Sequence, residues 1–323
     1  MTHAIRVLQP GGPEVLKWEE VQIGDPGRGQ VRMKQEAVGL NYIDVYHRTG
    51  LYPQPLPFTP GVEGAGIVES VGDGVTSVKP GDRVAYAGPI GGYAEERLID
   101  ADRLVKIPDS ISTETAATMM LQGMTAHMLL RRVYDVKAGD MILVHAAAGG
   151  VGLILCQWAK ALGATVIGTV STDEKAELAH SHGCDYPVIY TRQDFVAEVE
   201  RITRGAKLPV VYDSVGRDTF LKSLDCLRPR GLMVTYGNAS GPPDPIAPGI
   251  LAQKGSLFLT RPTLFSYIAE REELELAATE LFDVVSGGKV RIEIGQRYAL
   301  KDAAAAHRDL EARKTTGSTI FNV

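Results

Sequence analysis

The segment HAAAGGVG, from His145 to Gly152, constrains the fold more than any other stretch, because it joins two elements with different periods. The apolar run MILV before it is typical of a buried strand, and GLILCQWAKALG at its end has the period of a helix. This strand–turn–helix setting is the one in which the dinucleotide-binding pattern G-x-G-x-x-G works. Gly149 and Gly152 match the second and third glycines of that pattern, and Ala147 stands at the first.

The turn therefore predicts a phosphate cradle. Gly149 lets backbone N–H groups approach a pyrophosphate, Gly152 lets the helix pack closely on the strand, and the helix N-terminus attracts the anion. Ala147 fits a tight turn as long as its φ angle stays negative. The alternative is a small-residue turn without a ligand, and the strand–helix alternation around the segment argues against it.

Two domains are expected, because 323 residues exceed one ordinary core. Strands and helices alternate from about residue 141 to 262, which predicts βαβ crossovers and a parallel sheet. The first third of the chain is rich in glycine and proline and contains short β-type runs such as QVRMKQEAVGLN, the pattern of a compact β-barrel-like domain. After about residue 263 we expect helix, strand, helix and a final strand.

Charge and cysteine content exclude several classes. The net charge is −5 and the basic residues are scattered, so neither nucleic acid nor an anionic membrane is expected as a main partner. No apolar run approaches the roughly 20 residues of a membrane span, and the sequence MTHAIRVLQPGG has no apolar signal core, so we expect a cytoplasmic protein. Cys156, Cys184 and Cys226 lack CxxC spacing, which favours reduced thiols.

Seven stretches carry a family resemblance, in chain order: GLNYIDVYHRTGLYP, GVEGAGIVESVGDGV, GDRVAYAG, HAAAGGVGLILCQWAKALGA, VVYDSVGRDT, GLMVTYGNASG and QKGSLFLTRP. Together they resemble the zinc-free, zeta-crystallin-like NADPH-dependent quinone oxidoreductases of the medium-chain dehydrogenase/reductase superfamily, over essentially the whole chain. The resemblance implies an α/β fold with a GroES-like, β-rich catalytic domain formed by residues 1–125 and 263–323. Residues 126–262 are implied to form a Rossmann domain with a doubly wound parallel sheet.

The resemblance also implies the reaction, which is transfer of reducing equivalents from NADPH to a quinone in the cleft between the two domains. An alternative is reduction of an enone or enoyl double bond by the same fold and cofactor, and the sequence separates the two poorly. Alanine at position 147 is ordinary for this branch of the superfamily.

No metal is expected. In the zinc alcohol dehydrogenases of the superfamily a cysteine stands at the position of Asn41 and a histidine at that of Val62, whereas asparagine and valine are poor or impossible zinc ligands. The seven histidines form no HxH or HExxH set, and only His145, at a strand end, is a candidate for a supporting role. The cofactor must then supply the redox chemistry itself.

The end of the second strand of the dinucleotide fold indicates which nicotinamide is used. An NAD-specific fold places Asp or Glu there to bind the ribose hydroxyls, whereas this chain has Val170. Ser171 and Lys175 follow and suit a 2′-phosphate, which indicates NADPH. Asp173 lies between them and weakens the case for NADPH, unless it serves as an acid at the N-terminus of the next helix. The alternative for Lys175 is a solvent-exposed helical lysine without a ligand. The resemblance adds two residues at the adenosine phosphate, Tyr190 and Arg313.

The reacting end is predicted in NYIDVYHRTGLYP. The resemblance places Asn41 and Tyr46 near the nicotinamide, and Tyr46 or Tyr52 is the candidate donor to the acceptor oxygen; these three are the candidate catalytic residues. The alternative is that both tyrosines are packing residues with satisfied hydroxyls. The resemblance implies further cofactor contacts, the first of them at the nicotinamide face where the domains meet: Thr125, Gly149, Gly150, Val151, Gly152, Ser214, Tyr236, Gly237, Asn238, Leu259, Thr260 and Arg261.

The stretch GSLFLT, residues 255–260, predicts how the chain assembles. It is apolar and β-prone, reads as a sheet edge, and edges of this kind are usually covered. We expect a homodimer in which it pairs antiparallel with its twofold mate, an interface that the resemblance also implies. Some zeta-crystallin relatives are associated with RNA, but the basic stripe that such binding needs is not present in the sequence.

Overall fold

The computed structural model describes residues 1–323. Its strands are β1 (Thr2–Val7), β2 (Leu16–Val21), β3 (Gln30–Leu40), β4 (Glu63–Val71), β5 (Arg83–Ala87), β6 (Glu96–Asp100), β7 (Val105–Lys106), β8 (Met141–Val144), β9 (Thr165–Val170), β10 (Tyr186–Ile189), β11 (Leu208–Asp213), β12 (Leu227–Thr235), β13 (Phe258–Thr260), β14 (Ile294–Ala299) and β15 (Ser318–Asn322). Its helices are α1 (Tyr42–Thr49), α2 (Thr113–Ala117), α3 (Met120–His127), α4 (Gly150–Ala161), α5 (Asp173–Ser181), α6 (Phe195–Thr203), α7 (Phe220–Ser223), α8 (Gly249–Gln253), α9 (Leu264–Tyr267), α10 (Arg271–Ser286) and α11 (Ala303–Glu311). No helix is long and apolar enough to span a bilayer.

The chain forms two compact units. The first comprises Met1–Met124, Ile268–Ser286 and Ile292–Val323, and the second comprises Thr125–Tyr267 and Gly287–Arg291. The bounds of these units differ by a few residues from the domain bounds that the sequence predicts, because Thr125, residues 263–267 and Gly287–Arg291 belong to the second unit. The predicted bounds remain our proposal for the two domains.

The first unit is β-rich, as its glycine-punctuated short runs predict. Its main sheet has the order β14-β15-β3-β4-β5-β7, with β6 pairing to β3. All of its pairings are antiparallel except that of β14 with β15. Val31, Met33, Val84 and Leu104 are fully buried against one another and form part of its core. The long strand β3, which pairs with three neighbours, ends at Leu40 and delivers the chain directly into α1.

The second unit contains a six-stranded, all-parallel sheet in the order β10-β9-β8-β11-β12-β13. Numbered within the unit, this order is 3-2-1-4-5-6, that of the doubly wound dinucleotide-binding fold, whose strand order reverses between its first and fourth strands. Leu143, Ile167, Val211 and Met233 come from four of these strands and are fully buried in one core. The α/β fold class predicted from the alternation is therefore confirmed.

Candidate functional site

The turn after β8 opens α4, as the HAAAGGVG segment predicts. Its left-handed residue is Ala146, with a φ of 53°, whereas the sequence argument put the tight turn at Ala147, which is fully buried. A methyl side chain in this conformation carries a steric cost that glycine avoids.

Gly149 and Gly152, the two glycines of the turn that match the dinucleotide-binding pattern, have different surroundings. A Cβ atom on Gly152 would lie 2.3 Å from the carbonyl oxygen of Ala146 and 2.8 Å from the Cα of Ala147. A Cβ atom on Gly149 would meet only one atom within 4 Å, that same oxygen at 3.3 Å. Gly152 is therefore required for packing, and Gly149 keeps the mouth of the turn clear.

The first turn of α4 fits an anion. Gly149 is its N-cap residue, with φ −82° and ψ 170°. The amides of Gly150, Val151 and Gly152 follow, in the part of a helix where N–H groups have no intrahelical acceptor. Three amides and the positive end of a twelve-residue helix form a cradle suited to a pyrophosphate.

His145 fastens the end of β8 under this turn. Its Nδ1 lies 2.8 Å from Thr169 Oγ1 and its Nε2 2.9 Å from Ser223 Oγ. The ring is fully buried, and burial lowers the pKa of His145, so it stays neutral and joins β8, β9 and α7. The supporting role expected of this histidine is thus a link between elements.

The carboxyl ends of β9 and β10 bring together the residues predicted for the adenosine end. The Tyr190 amide donates to the Val170 carbonyl at 3.0 Å, and Thr191 Oγ1 donates to the Ser171 carbonyl at 3.0 Å. Thr172 caps α5, and its hydroxyl accepts from the amide of Lys175. Ser171 and Tyr190 therefore lie on two adjacent loops of the second unit, and Lys175 lies in the first turn of α5. Arg313 follows α11 in the first unit.

Asp173, the acid that weakened the sequence argument for NADPH, is paired. Arg192 Nη1 donates to Asp173 Oδ2 at 2.8 Å, and Arg192 Nη2 donates to Asp173 Oδ1. Sequence reasoning missed Arg192; the available signal was a basic residue two positions after Tyr190.

Loops at the ends of β11, β12 and β13 carry most of the remaining predicted cofactor contacts. The Tyr236 amide donates to the Asp213 carbonyl at 2.8 Å. A Cβ atom on Gly237 would lie 2.4 Å from the carbonyl oxygen of Ser214, so glycine allows these two loops to touch. Arg261 Nη1 donates to the Gly237 carbonyl at 3.2 Å. The predicted residues of these loops and of β13 share one edge of the sheet, at strand carboxyl ends where ligands of such sheets bind: Ser214, Tyr236, Gly237, Asn238, Leu259, Thr260 and Arg261.

A buried polar chain surrounds Asn41 in the first unit. Asn41 Nδ2 donates to Glu63 Oε2 at 2.6 Å, and Asn41 Oδ1 accepts from Gln122 Nε2 at 3.1 Å. Glu63 Oε1 also accepts from the Leu121 amide at 2.9 Å, and Gln122 Oε1 accepts from Ser318 Oγ at 2.8 Å. Each amide therefore has one orientation, with the nitrogen of Asn41 facing the carboxyl group.

Glu63 is a second residue that sequence reasoning missed, although it is the lone acid in the apolar stretch GVEGAG. Burial raises its pKa from 4.5 to about 8, against the opposing effect of the hydrogen bond from Asn41. Burial likewise raises the pKa of Asp44 to about 7, although Asp44 accepts from the Asn41 amide and from Tyr93.

The candidate tyrosines form an aromatic cluster beside Asn41. The ring centroids of Tyr46 and Tyr52 are 5.1 Å apart, edge to face, and those of Tyr42 and Tyr46 are 5.5 Å apart. Tyr46 is buried and Tyr52 is half-buried. The His47 ring lies 6.3 Å from that of Tyr52, and burial lowers the pKa of His47 to about 4.

The two positions compared with zinc ligands are occupied otherwise. Val62 is buried, and the Asn41 amide is held as described above. No three His, Cys, Asp or Glu side chains form a group able to hold a metal ion.

The fold and these residues define a dehydrogenase-like oxidoreductase, with a GroES-like unit and a Rossmann-type unit. The family profile described as "Alcohol dehydrogenase GroES-like domain" matches residues 27–109, and that described as "Zinc-binding dehydrogenase" matches residues 150–282. The quinone oxidoreductase of Pseudomonas aeruginosa is 53% identical over 323 residues, which covers 99% of both chains. The 2-haloacrylate reductase of a Burkholderia species is 47% identical over 330 residues, again 99% of both.

A solved relative gives the same result. The crystal structure of Escherichia coli quinone oxidoreductase complexed with NADPH matches with a TM-score of 0.98 and 48% identity, covering 99% of this chain and 100% of the other. The chain therefore belongs to the quinone oxidoreductase family of the medium-chain dehydrogenases/reductases, and the predicted resemblance is confirmed.

Proposed function

We propose that this protein is an NADPH:quinone oxidoreductase that works without zinc. The observation that carries the proposal is its match, over the whole chain, to a quinone oxidoreductase solved with NADPH. The local geometry agrees with that cofactor, since the turn at Gly149 is open and the first turn of α4 presents backbone donors.

The cofactor contacts follow from the elements that carry them. The amides of Gly150, Val151 and Gly152 hold the pyrophosphate. Gly149, whose own amide donates to the Ala146 carbonyl at 2.9 Å, lets the pyrophosphate approach. Ser171, Lys175, Tyr190 and Arg313 bind the 2′-phosphate. Position 170 is valine, so no acid there binds the ribose hydroxyls and repels that phosphate. The other assigned contacts are Thr125, Ser214, Tyr236, Gly237, Asn238, Leu259, Thr260 and Arg261.

Asn41, Tyr46 and Tyr52 serve the reacting end. When bound, NADPH supplies a hydride from its nicotinamide ring. A quinone that accepts it develops negative charge on a carbonyl oxygen, and Tyr46 or Tyr52 stabilises that charge by donating its phenol O–H. Asn41 presents its amide in the orientation that Glu63 and Gln122 impose. His47, neutral because of its lowered pKa, adds no charge beside the tyrosines.

A side-by-side acceptor assay tests the reaction. We expect the purified protein to oxidise NADPH with benzoquinones and naphthoquinones at a higher kcat/KM than with enones or 2-haloacrylate. The second candidate function, double-bond reduction, is favoured by the 47% identity to a 2-haloacrylate reductase. Higher kcat/KM values for the double-bond substrates would replace the quinone proposal by this alternative.

Zinc independence is tested on the same assay. Asn41 and Val62 supply no ligand that zinc prefers, so prolonged chelation followed by gel filtration is expected to leave the rate unchanged. Loss of activity on chelation, with recovery on adding zinc, would overturn this part of the proposal.

A homodimer is proposed on the strength of β13. This strand ends the six-stranded sheet, and the side chain of Phe258 on it is 61% exposed. An apolar edge of this kind favours pairing with a second copy. Light scattering is expected to give twice the mass of one chain for the unmodified protein. The variant Phe258→Lys is expected to give the mass of a single chain. Leu276→Lys, at a residue 48% exposed on α10 of the first unit, is the control that stays dimeric.

We also propose that the protein works in the cytoplasm. Its three cysteines are free and buried, as is usual in a reducing compartment. Cell fractionation with markers for cytoplasmic and for exported proteins tests this location, and recovery with the exported markers would contradict it.

A further inference from the structure

The ion pair between Asp173 and Arg192 lies at the edge of the sheet where the proposed 2′-phosphate binds. Val170 and Ile189 are paired across β9 and β10. Asp173 lies three residues beyond Val170, and Arg192 lies three residues beyond Ile189. Asp173 and Arg192 therefore lie at the same edge of the sheet, each three residues past a strand end. They are beside Ser171 and the loop of Tyr190.

Asp173 without a partner would oppose a phosphorylated cofactor. An acid at the end of the second strand binds ribose hydroxyls and repels a 2′-phosphate, which carries close to two negative charges. Asp173 is the first residue of α5, two positions after Ser171. Its carboxylate is thus near the group that Ser171 and Lys175 would bind.

Folding gives little reason for the pair to exist. The side chain of Arg192 is 58% exposed and that of Asp173 67% exposed. Ion pairs with this exposure contribute little to stability. The contact is nevertheless bidentate, with Arg192 Nη1 donating to Asp173 Oδ2 and Arg192 Nη2 donating to Asp173 Oδ1. It keeps the carboxylate ionised and balances its negative charge. The lowered pKa of Asp173, caused first by the hydrogen bond from Arg192, agrees with this arrangement.

We propose that Arg192 is a determinant of cofactor specificity that acts by neutralising Asp173, so that a 2′-phosphate can bind at Ser171 and Lys175. The inference rests on the proposed use of NADPH. It deepens that proposal by assigning the preference to a pair of opposite charges as well as to direct phosphate ligands.

The test is a double-mutant cycle read by binding. Titration calorimetry at low salt measures the dissociation constants of 2′,5′-ADP and 5′-AMP for the unmodified protein, Arg192→Gln, Asp173→Asn and the double variant. We expect Arg192→Gln to weaken 2′,5′-ADP by about fivefold and to leave 5′-AMP within twofold, as Coulomb repulsion across several ångströms of water predicts. Asp173→Asn is expected to bind 2′,5′-ADP at least as tightly as the unmodified protein.

The double variant separates neutralisation from direct contact. If Arg192 acts through Asp173, the double variant binds 2′,5′-ADP within twofold of Asp173→Asn. If removing Arg192 costs the same in both backgrounds, Arg192 contacts the phosphate itself and the proposal is overturned. The effect of Arg192→Gln is also expected to shrink when salt is raised from about 20 mM to 300 mM.

A matched control variant and the two ligands distinguish failure of this inference from failure of the proposed use of NADPH. Arg201 forms an exposed ion pair with Glu198 on α6 of the same unit, so Arg201→Gln removes a similar charge elsewhere. If the unmodified protein prefers 2′,5′-ADP but Arg192→Gln behaves like Arg201→Gln, only this inference fails. If the unmodified protein binds 2′,5′-ADP no more tightly than 5′-AMP, the proposed use of NADPH fails and the inference with it.

Discussion

Replacing the two glycines of the cradle by alanine, one at a time, should separate packing from cofactor binding. In Gly152→Ala the new methyl group would lie 2.3 Å from the Ala146 carbonyl oxygen and under 3 Å from two backbone atoms of Ala147. Ordinary contacts begin near 3.4 Å, so backbone must move by about an ångström. Overpacking of this kind costs typically 1–3 kcal/mol, and backbone neighbours place it at about 3 kcal/mol. For a unit of this size that is a fall in Tm of about 6–12 °C.

Gly149→Ala has the opposite profile. The backbone at Gly149, with φ −82° and ψ 170°, is open to any residue, and its methyl group would meet one atom at 3.3 Å. The loss of a favourable N-cap residue costs roughly 0.5–1 kcal/mol. The methyl group would however stand where the pyrophosphate approaches. Losing one charged hydrogen bond costs about 2 kcal/mol, or roughly thirtyfold in Kd for NADPH.

Thermal unfolding without cofactor and fluorescence titration with NADPH measure the two effects. Gly249→Ala is the control, because Gly249 is an exposed helical residue of the same unit with no atom within 4 Å of the added methyl group. It should leave the NADPH affinity unchanged and should not lower Tm, because alanine is at least as favourable as glycine in a helix. A Tm for Gly152→Ala equal to that of the control, or wild-type NADPH affinity in Gly149→Ala, would refute the assignment of packing to one glycine and ligand approach to the other.

Four further substitutions test Lys175, the two candidate tyrosines and Glu63. Lys175→Ala should raise KM for NADPH, leave KM for NADH nearly unchanged and lose its effect as salt rises; equal changes for both cofactors would contradict a 2′-phosphate contact. Tyr46→Phe or Tyr52→Phe should lower kcat with quinones by about 10²–10³ if its hydroxyl stabilises the oxyanion, and unchanged rates in both variants would make the tyrosines packing residues. Burial raises the pKa of Glu63 from 4.5 to about 8, so folding stability is lost progressively between pH 4.5 and 8 and levels off above that range. Urea unfolding measures the free energy of unfolding of Glu63→Gln and of the unmodified protein at pH 6 and at pH 9. The variant's advantage should be about 3 kcal/mol larger at pH 9 than at pH 6. If the two proteins lose stability in parallel as pH rises, burial does not keep Glu63 protonated.

The sequence was sufficient where the signal is local. Strand and helix periods, short turns and the glycines at 149 and 152 are properties of contiguous residues, and the α/β fold followed from them. Gly152 needs no distant partner to be understood, because the atoms it makes room for belong to Ala146 and Ala147 in the same turn. The sequence pattern did not predict one detail of this turn, which is that the residue with the left-handed conformation is Ala146 and not Ala147.

The candidate site was predicted in part. The family resemblance singled out Asn41 and Tyr46 at the reacting end. The position after the second strand of the dinucleotide fold singled out Ser171 and Lys175 at the adenosine end. The roles of these residues remain predictions. Nothing in those motifs indicated that the orientation of the Asn41 amide is fixed from both sides, by Glu63 and Gln122.

What the sequence alone determined is the class of fold, the strand–turn–helix unit that carries the proposed phosphate cradle, and the family, since each depends on residues that are neighbours along the chain. Only the tertiary structure decided which distant side chains meet: Glu63 with Asn41, 22 positions away, and Arg192 with Asp173, 19 positions away. The physical reason is that such pairs are set by the register of neighbouring strands and the loops that leave them, and that register is a property of the assembled sheet and not of any short segment.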